Sequence, residues 1–100
     1  MNFNKLTPAE TELLAKLAEE CGEVVQIVGK ILCHGYESYN PFDDQRTTNR
    51  TRLEEEAAHV EVVIAMLAVS GAINDKNLAA QRDAKLERIG KYLHYWSMEK

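Results

Sequence analysis

The stretch Leu53–Leu67 reads LEEEAAHVEVVIAML. It opens as a charged helix start and passes into an almost wholly apolar run, with Glu56 at its entry and His59 and Glu61 inside it. An ionised side chain moved out of water without a partner costs several kcal/mol or reverts to its neutral form. A helix built for burial that keeps such groups must find partners for them elsewhere in the chain.

The segments on either side are helical too. Thr7-Pro8-Ala9-Glu10 offers an N-cap hydroxyl, proline at the first helical position and glutamate at the third, which together make a capping box. Leu14, Leu17, Cys21, Val24, Val28 and Ile31 then recur at three- and four-residue spacing, the signature of an amphipathic helix. His34-Gly35 is the expected stop, because glycine accepts the left-handed backbone that ends helices. The first helix is therefore predicted from Pro8 to Cys33. The polar segment GYESYNPFDDQRTTNR, Gly35 to Arg50, reads as an ordered loop whose length points to a functional role. Thr51-x-x-Glu54 is a second capping box, so the second helix is predicted from about Arg52 to Ser70-Gly71. Asn74 or Asp75 caps a third, in which Leu78, Leu86, Ile89, Leu93 and Trp96 share a face.

No strand pattern competes with these helices. The expected fold is all-α, one domain over residues 1–100 with three main helices, completed into a larger bundle by a second copy. A chain of 100 residues buries only about two-thirds of its unfolded surface, so self-association would help it. The net charge of −4, from 16 acidic and 12 basic residues, argues against a duplex nucleic-acid binder, which should carry a basic face. No membrane role is expected: the apolar run from Val62 to Ala72 is too short to span a bilayer. MNFNKLTPAE lacks the apolar core of a signal peptide. Cys21 and Cys33 would stand roughly 18 Å apart on one helix, too far for a disulfide. They are expected to be reduced, buried thiols of a cytoplasmic protein.

Helical-wheel positions, at about 100° per residue, sharpen the anomaly. Glu20 falls between Leu13, Val24, Ile27 and Ile31, inside the apolar stripe. Glu23 sits on its edge, and Glu19 points further towards solvent. In the second helix Glu56 falls between Val63 and Leu67, with His59 on the same side. Arg82 lies at the centre of the apolar face of the third helix, and Lys85 at its margin. Glu61 points roughly 140° away from Glu56 and fits packing or a subunit contact.

Glu20/Glu23 and Glu56/His59 are i, i+3 pairs, neighbours on their helices. Two such pairs on facing helices can converge on a cation, which relieves the repulsion that raises carboxylate pKa values. Hard carboxylate oxygens suit Mg²⁺, which commonly shares its shell with substrate phosphates. The alternatives on spacing alone are solvated glutamate faces, an Arg82–Glu56 bridge between helices, and a hydrogen-bonded core histidine at position 59.

Glu19-Glu20-Cys21-Gly22-Glu23 has the form E-E-x-x-E, and a second helix follows across a loop with an E-x-x-D-type element, here Glu56-Ala57-Ala58-His59. In this order, with HGYESYNPFDDQRTTNR before the second element and KLERIGKYLHYW after it, the chain resembles the MazG-like all-α nucleoside triphosphate pyrophosphohydrolases from about Leu6 to Trp96. It looks closest to their small single-domain phage and prophage forms. The resemblance implies a homodimeric or homotetrameric enzyme, in the host cytoplasm if phage-encoded. Such an enzyme cleaves an NTP or dNTP between the α and β phosphates to a monophosphate and pyrophosphate. It implies Glu20, Glu23 and Glu56 as Mg²⁺ ligands and Glu19 as a group that supports them or positions the attacking water.

Arg82 and Lys85, beside the apolar face, are candidates for neutralising the polyphosphate, and Asn49 and Arg50 for contacting substrate at the loop's entry to the second helix. Where the family usually ends its second element in Asp, this sequence has His59. Imidazole suits Mn²⁺ and softer ions better than Mg²⁺. The departure leaves two expectations: an enzyme with altered metal preference or rate, or a protein that binds and sequesters nucleotide without turnover.

Overall fold

In the computed structural model, which describes residues 3–96, the chain is all-helical as expected. The elements are α1 (Pro8–His34), α2 (Asn49–Val69), α3 (Asp75–Ile89) and a 3₁₀ turn, η1 (Gly90–Tyr92). The only extended pairing among the described residues is a single antiparallel bridge between Tyr39 and Thr48. No helix among them is long and apolar enough to cross a membrane. The chain divides into two compact units, Met1–Leu67 and Ala68–Lys100.

In the first unit, α1 starts as its sequence requires. The Thr7 side chain accepts from the Glu10 amide, and the Glu10 side chain accepts from the Thr7 amide, each at 3.1 Å. The helix stops at Gly35, whose φ of 87° few other residues adopt and whose N–H donates to Ile31 O at 2.7 Å.

Helix α2 starts three residues earlier than Arg52. The first N–H groups of a helix have no partner within it. Here the loop supplies them: Asn49 N donates to Ser38 O, Arg50 N to Tyr36 O, and Thr51 N to Thr48 Oγ1 at 3.2 Å. Thr48, extended by its pairing with Tyr39, is therefore the cap. Thr51 lies inside the helix, and the Thr51–Glu54 capping box does not form.

Helices α1 and α2 run antiparallel as a hairpin. Asn49 Nδ2 donates to Gly35 O at 3.1 Å where the loop joins them, and further along His59 faces Glu20. The buried apolar residues of the described chain are only Ile27, Val63 and Leu67, while Val25, Leu32, Val62 and Met66 stand exposed. Cys21 and Cys33 are free, and both are exposed rather than buried, because the chain covers so little of α1. Glu61 is also exposed.

In the second unit, Asn74 caps α3, its Oδ1 accepting from Asn77 N at 3.0 Å. The helix has no buried residue, so Arg82 is exposed and not at the centre of a covered face. Leu93 and Trp96 lie beyond the helix, because the backbone tightens into η1 at Gly90 before them. They do not continue the Leu78–Ile89 stripe.

Candidate metal centre and adjoining cleft

The helical spacing that sets Glu20 and Glu23 on one side of α1 and Glu56 and His59 on one side of α2 places these groups face to face in the hairpin. Glu20 is buried despite its charge, with its side chain 9% exposed. Its Oε1 lies 3.4 Å from Lys16 Nζ, which also reaches Glu19 at 3.2 Å. Its Oε2 points the other way, to within 3.4 Å of His59 Nδ1, and Glu56 Oε2 approaches the same nitrogen at 3.5 Å. Both Oε2 atoms are buried and neither accepts a hydrogen bond. One donor atom from each of Glu20, Glu56 and His59 lies within 4.8 Å of the others.

Glu23 stands beside Glu56. The Glu56 carboxylate, by hydrogen bonding and by its charge, holds Glu23 above the usual carboxylate range; lost hydration and Glu19 add to this, and His59 opposes it. Two carboxylates in that relationship repel when both are ionised, and a proton or a cation between them removes the repulsion. Two orphaned oxygens and an imidazole nitrogen converging on one point fit a divalent cation, since buried carboxylate oxygens rarely go unpartnered.

Glu23 and Glu56 also line a cleft of about 660 Å³. Its α1 wall continues through Ile27, Lys30 and His34, and its α2 wall holds Asn49 and Arg52. Ser38, Tyr39, Asn40 and Pro41 of the loop close one end. The loop keeps its shape through side chains that cap its own backbone. Asn40 Oδ1 accepts from Phe42 N, Asp43 Oδ1 from Gln45 N, and Asp43 Oδ2 from both Thr47 N and Arg52 Nη2. These donors, the two backbone amides first, hold the Asp43 carboxyl below its ordinary range. The cleft thus has carboxylates at one end and the cations of Lys30 and Arg52 on its walls, an arrangement that suits a polyphosphate held partly through a metal ion.

Of the residues the sequence put forward, Glu20, Glu56 and His59 are brought together, and Glu23 lines the cleft with Glu56. Glu19 is exposed and paired with Lys16. Asn49 lines the cleft but is buried, and its amide is spent on Gly35 O. Arg50 is turned to the loop, where Glu37 accepts from its Nε at 2.8 Å and its guanidinium lies 4.4 Å from the Tyr36 ring centre. Arg82 and Lys85 are exposed on α3, in the other compact unit.

Sequence reasoning passed over Lys30, His34 and Arg52. The signal was present, since Glu23, Ile27, Lys30 and His34 follow i, i+4, i+7, i+11, and Asn49, Arg52, Glu56 and His59 follow i, i+3, i+7, i+10. Each is a single helical stripe. Set against family models, curated proteins and solved structures, the chain matches none.

Proposed function

We propose that the chain is a metal-dependent nucleoside triphosphate pyrophosphohydrolase of the MazG-like kind. Its reaction adds water across the α–β phosphoanhydride of an NTP or dNTP, releasing the nucleoside monophosphate and pyrophosphate. The observation that carries this reading is the convergence of Glu20, Glu56 and His59, of which Glu56 also lines a cleft walled by Lys30 and Arg52.

Glu20, Glu56 and His59, with Glu23 beside them, would hold the ion, Mg²⁺ or Mn²⁺. Bound there, the ion would polarise phosphoryl oxygens and lower the pKa of a water. Lys30 and Arg52 neutralise phosphate charge, Arg52 from a position fixed by Asp43. Asn49, which lines the cleft, is a candidate for substrate contact, and Glu19 for supporting Glu20 through Lys16. The exposed apolar residues of α1 and α2 support a homodimer or homotetramer, because a chain with so few buried apolar residues gains from a copy of itself.

Pyrophosphate release across a panel of NTPs and dNTPs, with Mg²⁺ and with Mn²⁺, tests the proposal. Turnover that needs the metal and is lost in Glu56→Gln and Glu23→Gln is the expected result. Tight nucleotide binding without any product would replace the hydrolase with a sequestering protein, the reading that His59 favours. Neither turnover nor nucleotide binding would remove both.

A further inference from the structure

We propose that Glu20 Oε2, Glu56 Oε2 and His59 Nδ1 form a three-donor face that binds a first-row transition ion such as Mn²⁺ in preference to Mg²⁺, with Glu23 outside the ligand set. The inference rests on the metal site of the preceding reading, not on its hydrolysis.

The first support is geometric. Ligand atoms about 2.1 Å from one ion lie about 3.0 Å apart at a right angle and about 3.4 Å apart at a tetrahedral angle. His59 Nδ1 stands 3.4 Å from Glu20 Oε2 and 3.5 Å from Glu56 Oε2, the first at the tetrahedral value and the second slightly beyond it. The second is the state of the oxygens. Both are buried and neither accepts a hydrogen bond, so no aligned N–H from the imidazole joins it to either carboxylate. Glu20, more than nine-tenths buried, aims an unpartnered charge-bearing atom at the face.

The third support is chemical. Two carboxylates and a neutral imidazole balance a divalent ion, and a nitrogen donor favours Mn²⁺ and later ions over Mg²⁺. Lys16 meets Glu20 through Oε1 at 3.4 Å and leaves Oε2 to the face. Glu23 supplies no atom to the mutually close set.

Pulsed EPR of Mn²⁺ bound to the full chain is the test. The wild type should show a directly coordinated ¹⁴N, and His59→Asp should lose it while still binding Mn²⁺. Losing even an outer partner of a ligand lowers metal affinity roughly 10–100-fold. The Mn²⁺-over-Mg²⁺ preference, measured by competition, should therefore fall at least tenfold in His59→Asp. Glu23→Gln should keep the nitrogen coupling. Mn²⁺ bound without nitrogen coupling, coupling that survives in His59→Asp, or no Mn²⁺ binding at all would overturn the proposal. The nitrogen readout needs no substrate. Coupling without pyrophosphate release leaves this site standing and removes the hydrolase; turnover without coupling does the reverse.

Discussion

Arg52 Nη2, one turn into α2, donates to Asp43 Oδ2 at 3.1 Å, and that same oxygen accepts from Thr47 N at 2.9 Å. One carboxylate thus ties the loop to itself and to the helix that carries Glu56. Asp43→Ala should release the Gln45 and Thr47 amides and free the Arg52 side chain. Hydrogen exchange should quicken at those two amides, while the amides in the middle of α1 stay unchanged. Equal protection in mutant and wild type would show that the loop is held by other means.

The same carboxylate sets a pH dependence. Its folded pKa lies below its unfolded one, because Thr47 N, Gln45 N and Arg52 favour the ionised form. Its contribution is therefore complete above the usual carboxylate range and is lost as pH falls through the lowered folded value. Amide protection of residues 45 and 47 should weaken in acid at that lowered pH, and the acid-sensitive step should vanish in Asp43→Asn.

The acidic groups of the candidate metal site bear on stability as well. Glu23 and Glu56 crowd each other when no cation is present, as the raised pKa of Glu23 records. In the presence of a chelator, Glu23→Gln should raise the melting temperature above that of the wild type. Added Mn²⁺ should then stabilise the wild type more than the mutant, since a ligand bound only to the folded state raises stability by mass action. A lower melting temperature for Glu23→Gln in chelator would show that the pair is held together without strain.

The cap of α2 gives a comparison between two neighbouring threonines. Thr48→Ala removes the acceptor of Thr51 N and should cost about 1 kcal/mol, the usual cost of losing an N-cap hydroxyl. Thr51→Ala, at an exposed position inside the helix, should change stability by about 0.5 kcal/mol or less. Chemical denaturation of both variants decides it, and a larger loss at Thr51 would move the helix start back to where the sequence motif put it.

Ile27, Val63 and Leu67 are the apolar side chains buried among the described residues. Leu67→Ala should therefore cost about 2–5 kcal/mol, as for other buried leucines. Val69→Ala, two residues on and 88% exposed, should cost about 0.5 kcal/mol or less in the isolated chain. A loss at Val69 comparable with that at Leu67 would mean that a second copy covers it.

The sequence by itself determined the all-helical architecture and which acidic and imidazole groups share a helix face. Its three- and four-residue apolar spacing, the Thr7–Glu10 box and Gly35 are local signals, and local hydrogen bonds and sterics read them without help. The same spacing put Glu20 with Glu23 and Glu56 with His59. Only tertiary structure decided the rest. Thr48, not Thr51, caps α2 because loop carbonyls at Tyr36 and Ser38 reach the amides of Arg50 and Asn49, a pairing invisible in a four-residue motif. Lys30 and Arg52 became cleft residues, and Arg50 did not, because the loop engages Arg50 through Glu37 and Tyr36. Helical period fixes which side chains share a stripe; which stripe meets which, and how closely two oxygens approach an imidazole, depends on how the hairpin closes.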